Sequence, residues 1–445
     1  MSYIDDFDDN VTNSKKIPYD DIPISRNVNS RNRKNSRMSI SSFKVLVALV
    51  SILFICNVVL CGTLFYFMRN GKVDNINVYY NEINATEESI STVASNTALK
   101  SAVNVAAGGS CNDEYSFYNY TSSKGGGIIH SIDTEAKTIY FVTCYHVIDG
   151  YTKDGIWVLL PTRLVPIKVS VVSYSSHYDI AVLKYRYTES NVNSFLKGCL
   201  PVTVYDSTYL SLGDTVFAVG NPLSNGFSIT KGSISRLNTL MTVESNDFKT
   251  REIQIDAAIN KGNSGGGLFN AEGKFIGLVN SKLVVTGVEG TSYAIPGNLV
   301  MGIAGSIIRN NQDGASLQKA TYIDLGVEFS YDEALNISFI EKMYDEQLKT
   351  LLSYNVVVDS VSSDSIVKGS IGKDDLIVSI EIYVYDGDEI KKVAVDMYNK
   401  YVFEDYSFSI VENTEIVFYI KKDGFGEVKK ITGITVNEND FKKTN

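Results

Sequence analysis

The most informative segment of the sequence is Asp256–Asn270, DAAINKGNSGGGLFN, because it encloses Ser264 between glycines. Gly262, Gly265 and Gly266 permit backbone angles that are closed to other residues, so several main-chain amides can turn toward one point. Amides arranged in this way stabilise the negative charge that develops when a serine hydroxyl attacks a carbonyl group. The stretch therefore predicts a nucleophile with an oxyanion hole, although a glycine-rich turn with a solvated serine stays open on this segment alone.

A nucleophilic serine needs a base, and the base needs an orienting carboxylate. The chain has three histidines, so few residues can supply the imidazole. His146 follows an apolar run in FVTCYHVID, and Asp179 opens the run DIAVLK. We therefore expect His146 to be the base and Asp179 its orienting acid. His177 competes as the base, but its position two residues before Asp179 fits an exposed loop better, and a surface or core role is expected for His130.

The order His146, Asp179, Ser264 is that of chymotrypsin-like serine proteases, and the neighbouring segments resemble the bacterial HtrA/DegP branch. The resemblance covers about residues 100–310 and rests on four segments: 213–224 (GDTVFAVGNPLS), 228–238 (SITKGSISRLN), 256–270 (DAAINKGNSGGGLFN) and 291–300 (TSYAIPGNLV). It implies a mainly β, chymotrypsin-like double β-barrel in which Ser264 is the nucleophile. It also implies that Gly262 and Ser264 supply the oxyanion-hole amides and that Asn263 shapes their loop.

The nucleophile loop departs from the family at two positions. Lys261 and Gly267 stand where the family usually has proline. Both loosen a loop whose amides must be held in place for catalysis. In this family the loop can rest in an inactive shape, so the resemblance predicts an activation step.

Specificity is predicted from the residue six positions before the nucleophile. In trypsin-like enzymes this residue forms the floor of the P1 pocket, and an Asp there selects Lys or Arg. Here it is Ala258, and the nearest acid, Asp256, occupies the family's DAA position. A neutral pocket cannot offset the burial of a cation, so we expect cleavage after small or medium apolar residues. Val279, Asn280 and Ser281 are expected to line the same pocket.

The segment Val45–Met68 is a long apolar run without a charge. As a helix it would be about 36 Å long, enough to cross a bilayer core of about 30 Å. A buried soluble helix or a cleaved signal peptide fits the run less well. We predict a transmembrane helix at 44–68, a cytoplasmic disordered tail at 1–43 and a linker at 69–97. Basic residues concentrate before the span, so the positive-inside rule places the rest of the chain outside the cytoplasm.

The exported part divides into two predicted domains. Residues 98–311 form the protease domain, 312–321 a linker, and 322–438 a domain that resembles a diverged PDZ domain. Leu325, Gly326 and Val327 resemble the loop that binds a peptide carboxylate. Asp324 nearby would disfavour that ligand if it faces the loop, and another small α+β domain stays an alternative. Asp332–Leu352 is a helical candidate.

Composition excludes several other functions. The net charge of −10 argues against a nucleic-acid-binding protein, which needs clustered Lys and Arg. With five cysteines and no CxxC or His/Cys cluster, the sequence predicts no metal site, and it implies no cofactor. Cys111, Cys144 and Cys199 fall in the exported part, where a Cys111–Cys199 disulfide is allowed but not required.

The leading hypothesis is a membrane-anchored, extracytoplasmic serine endopeptidase that acts on unfolded or exported polypeptides in protein quality control. By resemblance, a homotrimer or larger homo-oligomer is expected. The alternative is a non-hydrolytic peptide-binding or chaperone-like relative whose loop is too loose to catalyse. A third reading is a signalling protease that cleaves one membrane partner.

Overall fold

The computed structural model describes residues 87–444 except positions 120, 152–154, 189–191, 222–225, 243–248, 282–289, 312–316, 331–355, 388, 398 and 423–426. The predicted tail, the apolar segment Val45–Met68 and the helical candidate Asp332–Leu352 lie outside these residues. Helices within the described ranges are all too short or too polar to cross a bilayer. All described residues belong to one compact unit, Ile83–Asn445.

The described chain begins with a helix, α1, at Glu87–Ser101, where the sequence predicts a linker up to residue 97. No glycine or proline interrupts this segment, and Lys100 in the last turn complements the helix dipole. Ala98 is fully buried and Leu99 packs against the core of the first barrel. The last eleven residues of the predicted linker are thus helical, because tertiary packing stabilises a helix that has little hydrophobic periodicity of its own.

Six strands close the first barrel in the order β1-β2-β3-β6-β5-β4. The strands are β1 Ala102–Ala107, β2 Ser123–Asp133, β3 Thr138–Cys144, β4 Ile156–Leu159, β5 Ile167–Ser175 and β6 Ile180–Arg186. Short helices in the connections are α2 Glu114–Asn119, α3 Tyr145–Ile148 and α4 Val192–Leu196. Ile128, Phe141 and Val182 are fully buried in the barrel core.

A second closed barrel follows with the order β10-β11-β12-β9-β8-β7. Its strands are β7 Thr215–Gly220, β8 Ser228–Thr242, β9 Lys249–Ile255, β10 Gly267–Asn270, β11 Phe275–Val279 and β12 Ser292–Pro296. The closing helix α5, Gly297–Asn310, buries Leu299, Ile303 and Ile307, which recur every four residues on one face. The predicted double β-barrel fold is confirmed.

The C-terminal part is a small α+β domain. Its elements are β13 Thr321–Ile323, β14 Val327–Ser330, β15 Val357–Val361, β16 Leu376–Asp386, β17 Glu389–Asp396, α6 Tyr401–Ser407, β18 Glu415–Lys421, β19 Lys429–Thr435 and β20 Phe441–Lys443. The main sheet has the order β14-β15-β16-β18-β19, with β17 added to β16, while β13 pairs with β20. Strand β14 therefore lies at an edge of this sheet. The assignment of the domain as PDZ-like stays a prediction.

The three cysteines of the described chain are buried and free. The Cys111–Cys199 disulfide that the sequence allows is not formed. Cys199 instead shares a hydrogen bond with Thr162, at 3.3 Å between Sγ and Oγ1. Cys56 and Cys61 lie outside the described residues.

Candidate active site

Strand pairing brings His146 and Asp179 together. β3 and β6 are antiparallel neighbours, and Cys144 at the end of β3 pairs with Ile180 at the start of β6. His146 follows in the single turn of α3, while Asp179 precedes β6 with a φ of +55°. This left-handed conformation is uncommon for a residue other than glycine, and such backbone strain concentrates at functional sites.

Three hydrogen bonds fix the pair. The main-chain amide of Tyr145 donates to the carbonyl of Asp179 at 2.9 Å. The amide of His146 donates to Oδ1 of Asp179 at 2.9 Å, and its ring Nδ1 donates to Oδ2 at 2.6 Å. Because the carboxylate accepts at Nδ1–H, Nε2 keeps its lone pair and can accept a proton. His146 and Asp179 thus have the geometry of a general base and its orienting acid.

The loop that carries Ser264 connects β9 to β10 and docks on β2. The amide of Gly126 donates to the carbonyl of Ser264 at 2.8 Å. A Cβ on Gly126 would lie 2.6 Å from Cα of Gly266, so only glycine allows this approach. Gly265 has a φ of +80°, and a Cβ there would overlap the hydroxyl of Thr143. The sequence reasoning missed this role of the 125–127 glycine run, although three successive glycines in a strand are a signal of close backbone approach.

The hydroxyl of Ser264 is paired with the hydroxyl of Ser281. It also accepts from the amide of Ser281 at 3.3 Å. Among the described residues no hydrogen bond joins Ser264 to His146. The structure therefore brings His146 and Asp179 together. It holds Ser264 against Ser281, which lies two positions beyond the end of β11.

The predicted oxyanion-hole amides differ in availability. The amide of Asn263 donates to the carbonyl of Asn260 at 3.0 Å, so it is engaged in the loop's own turn. The amides of Gly262 and Ser264 have no hydrogen-bond partner in the part of the chain that the structure describes. Gly262 has a φ of +101°, which a non-glycine residue rarely adopts. Two amides of the loop are thus free to donate to a ligand oxygen.

The residues predicted to line the P1 pocket differ in their exposure. Ala258 is exposed, whereas Val279 and Asn280 are buried. Asp256 is engaged elsewhere, because its carboxylate accepts from both the amide and the hydroxyl of Ser233. The carboxyl group nearest to Ala258 in sequence is therefore already engaged in hydrogen bonds.

Glu252 in β9 is a buried acid that the sequence reasoning missed. Its Oε1 accepts from the hydroxyl of Thr250 at 3.2 Å and from the side-chain amide of Asn280 at 3.3 Å. Its Oε2 has no partner among the described residues. Burial raises the pKa of Glu252 to about 8, and the charge of Asp179 adds to this rise. The hydrogen bonds from Asn280 and Thr250, and the nearby charge of Arg251, act in the opposite direction on this pKa.

Cys144 completes a cluster of donor atoms with His146 and Asp179, all within 4.8 Å of one another. Burial raises the pKa of Cys144 well above its ordinary value. A metal ion binds the thiolate, and this thiol is held protonated, with Sγ donating to the carbonyl of Val279 at 3.4 Å. We therefore assign Cys144 to the packing of the site.

The other histidines lie apart from this arrangement. His177 is in the turn between β5 and β6, where its ring meets that of Tyr178 edge-on at 4.5 Å. His130 is in β2, and its Nδ1 shares a hydrogen bond with the hydroxyl of Ser131 at 2.8 Å.

Helix α6 of the C-terminal domain docks next to the site. The hydroxyl of Tyr178, the residue before Asp179, donates to Oε1 of Glu404 at 3.1 Å. Arg251 forms an ion pair with Asp405, and both side chains are almost completely buried. The hydroxyl of Tyr406 donates to Asp206 at 2.6 Å.

The predicted carboxylate-binding loop is partly occupied by its own side chains. Gly326 has a φ of +64°, and its amide donates to Oδ1 of Asp324 at 2.8 Å. The carbonyl of Leu325 accepts from the hydroxyl of Ser365 at 2.6 Å. Val327 begins the edge strand β14. Asp324 is itself paired with Lys442.

Residues 125–278 match the family model described as a trypsin-like peptidase domain. This match includes His146, Asp179 and Ser264. The serine protease Do-like HtrA of Lactococcus lactis subsp. lactis (strain IL1403) is 38% identical to it over 192 residues, which are 41% of this chain and 44% of that protein. The serine protease HtrA-like of Staphylococcus aureus (strain bovine RF122 / ET3-1) is 31% identical over 265 residues, which are 58% of this chain and 32% of that protein.

The matched part of the chain thus corresponds to less than half the length of either relative. Among solved structures, the HtrA-type protease AlgW with a tripeptide is 24% identical, with a TM-score of 0.45. That alignment covers 78% of this chain and 96% of the other.

Proposed function

We propose that the protein is a serine endopeptidase with His146 as general base, Asp179 as its orienting acid and Ser264 as nucleophile. The observation that carries the proposal is the hydrogen bond between Nδ1 of His146 and Asp179 beside a glycine loop that presents a serine. A buried carboxylate that holds an imidazole in this tautomer has a direct catalytic use.

The reaction is acyl transfer. The hydroxyl of Ser264 leaves Ser281 and turns to Nε2 of His146, which accepts its proton as the oxygen attacks the carbonyl carbon. The amides of Gly262 and Ser264 stabilise the oxyanion. His146 then protonates the leaving amine, and water releases the acyl group from Ser264 by the same steps.

Substrate preference follows from the neutral pocket. Ala258 leaves no acid for a basic P1 side chain, and Asp256 is held by Ser233. Val279, Asn280 and Ser281 would form one wall, with a buried valine as the apolar contact. We propose cleavage after small or medium apolar residues, which unfolded polypeptides expose. A peptide library with strong preference for Lys or Arg at P1 would contradict this.

The apolar segment Val45–Met68 supports an anchor in the cell membrane, with the N-terminus in the cytoplasm and the two folded domains outside it. Substrates would then be unfolded or exported polypeptides. Alkaline extraction of membranes tests the anchor, and protease accessibility in intact and opened cells tests its direction.

The C-terminal domain is proposed to take a peptide as an added strand on β14, the edge strand of its sheet. The amides of Leu325 and Val327 are the donors proposed for its carboxylate, since Asp324 already holds the amide of Gly326. Binding of peptides with free and amidated C-termini distinguishes carboxylate recognition from strand addition alone.

A homotrimer or larger assembly is proposed, and three apolar side chains support an interface between copies. Leu164, Val165 and Leu200 are each more than half exposed. Thr162 donates to the carbonyl of Leu196 at 3.0 Å, which joins the two loops that carry them. Light scattering of the wild-type chain and of Leu164→Glu measures the assembly state.

A fluorophosphonate probe tests the enzymatic proposal on the full chain. Covalent labelling of the wild type, lost in Ser264→Ala and retained in Ser363→Ala, supports the serine endopeptidase. Ser363 is an exposed serine remote in sequence from the loop and serves as a matched control. A wild-type chain that stays unlabelled and binds unfolded protein without cleaving it supports the non-hydrolytic alternative.

A further inference from the structure

Strand β9 faces two different surroundings at neighbouring residues. Arg251 extends to α6 of the C-terminal domain, where it pairs with Asp405. Glu252 contacts Asn280 on the side of the active site. Successive side chains of a strand point to opposite faces, so β9 presents a cation to one neighbour and a carboxyl group to the other.

Glu252 is connected to the nucleophile through a short series of contacts. Its Oε1 accepts from the side-chain amide of Asn280 at 3.3 Å. Asn280 is followed by Ser281, whose amide and hydroxyl both contact the hydroxyl of Ser264. The carboxyl group of Glu252 therefore holds the side chain of Asn280, which directly precedes Ser281.

The surroundings of this carboxyl group favour its neutral form. It is fully buried, and Oε2 has no donor among the described residues. Asp179 and Cys144 are the acidic groups that interact with it from neighbouring elements, and Arg251 is the cation. The guanidinium of Arg251 is already paired with Asp405, so it compensates little of a second negative charge.

We propose that Glu252 is a positioning residue of the active site, which as a neutral acid holds Asn280 and thereby the main chain at Ser281 beside the nucleophile. The proposal rests on the proposed peptidase function. Loss of the proton places a second buried anion near Asp179. Repulsion between the two carboxylates then disturbs the acid that orients His146, so activity falls as the pH rises through about 8.

The test measures kcat/KM of the full chain on a fluorogenic peptide with an apolar P1 residue from pH 6 to pH 10. Glu252→Gln keeps an acceptor for Asn280 but cannot ionise. We expect its kcat/KM at pH 7 to lie within about twofold of the wild type and its alkaline decline to disappear. Glu252→Ala removes this acceptor of Asn280 and should lower kcat/KM about tenfold at pH 7, and its alkaline decline should also disappear because it has no carboxyl group to ionise. The matched control Glu272→Gln, at an exposed site, should keep the wild-type profile.

Infrared spectroscopy of the same proteins gives a readout that is independent of turnover. The carbonyl stretch of a protonated carboxylic acid should be present at pH 6.5, disappear by pH 9.5, and be absent in Glu252→Gln. Absence of that band in the wild type overturns the inference. An active wild type whose alkaline decline survives in Glu252→Gln also overturns it and leaves the peptidase proposal intact. A wild type without activity refutes the peptidase proposal itself, and with it the positioning role.

Discussion

Glu252 should make the stability of the folded protein fall with rising pH, and Glu252→Gln should remove that dependence. Burial raises its pKa from the ordinary value of 4.5 to about 8. The folded state thus holds the proton more tightly than the unfolded state does. The stabilisation is complete below pH 4.5 and is lost progressively until the pH passes about 8, above which both states are ionised.

The magnitude follows from the difference between the two pKa values. At about 1.4 kcal/mol per pH unit, the window from 4.5 to about 8 corresponds to about 5 kcal/mol. Between pH 5 and pH 7 the expected loss of unfolding free energy is about 2 to 3 kcal/mol. This is a large part of the stability of a typical domain.

Urea unfolding of the full chain in detergent at pH 5, 7 and 8.5 measures this effect. Trp157 is the one tryptophan of the sequence, and its fluorescence combined with circular dichroism reports the transition. At pH 5 the free energies of unfolding of Glu252→Gln and the wild type should agree within about 1 kcal/mol. At pH 8.5 the free energy of unfolding of Glu252→Gln should be several kcal/mol higher than that of the wild type. Glu272→Gln should follow the wild type throughout. Parallel curves for the wild type and Glu252→Gln would refute the reasoning.

Three further predictions concern the site and its neighbour. Asp179→Asn should lower kcat about 10⁴-fold, because the imidazole loses its tautomer, and a loss below tenfold on a fluorogenic peptide would contradict the assignment. Ser281→Ala should raise the rate of fluorophosphonate labelling of Ser264 about fivefold, since one neutral hydrogen bond of about 1 kcal/mol no longer holds the hydroxyl; slower labelling would count against this role. Arg251→Met leaves Asp405 buried without its cation and should cost about 3 to 5 kcal/mol in urea unfolding, much of it recovered when Asp405→Asn is added. Equal costs for the single and double variants would exclude that pairing.

The barrels were predictable because their strands carry local signals. Examples are the apolar runs at Thr138–Thr143 and Phe275–Val279, which are short and bounded by residues that favour turns. The bounds of the observed strands agree with these runs within one residue. Helix α1 was missed, since its apolar residues form no stripe and its stability comes from docking Ala98. Such packing depends on contacts distant in sequence.

The site was only partly predictable for a similar reason. His146 follows the end of β3 and Asp179 precedes the start of β6, and the pairing of these two strands places the two residues side by side. The alternation in β9 gives no sign that Glu252 is buried, because Gln254 on the same face is a polar residue as well. The contact between Ser264 and Ser281 depends on a rotamer choice, which no local pattern encodes.

Helix α6 offers three consecutive residues, Glu404, Asp405 and Tyr406, to three separate segments of the peptidase domain. A fragment that stops after α5 would expose to solvent the guanidinium of Arg251 and the surrounding surface, which are buried in the intact chain. The kinetics and the thermal stability measured on such a fragment would then differ from those of the intact chain. The C-terminal domain is in this sense part of the packing around Arg251, Asp206 and Tyr178, and its removal would expose these side chains.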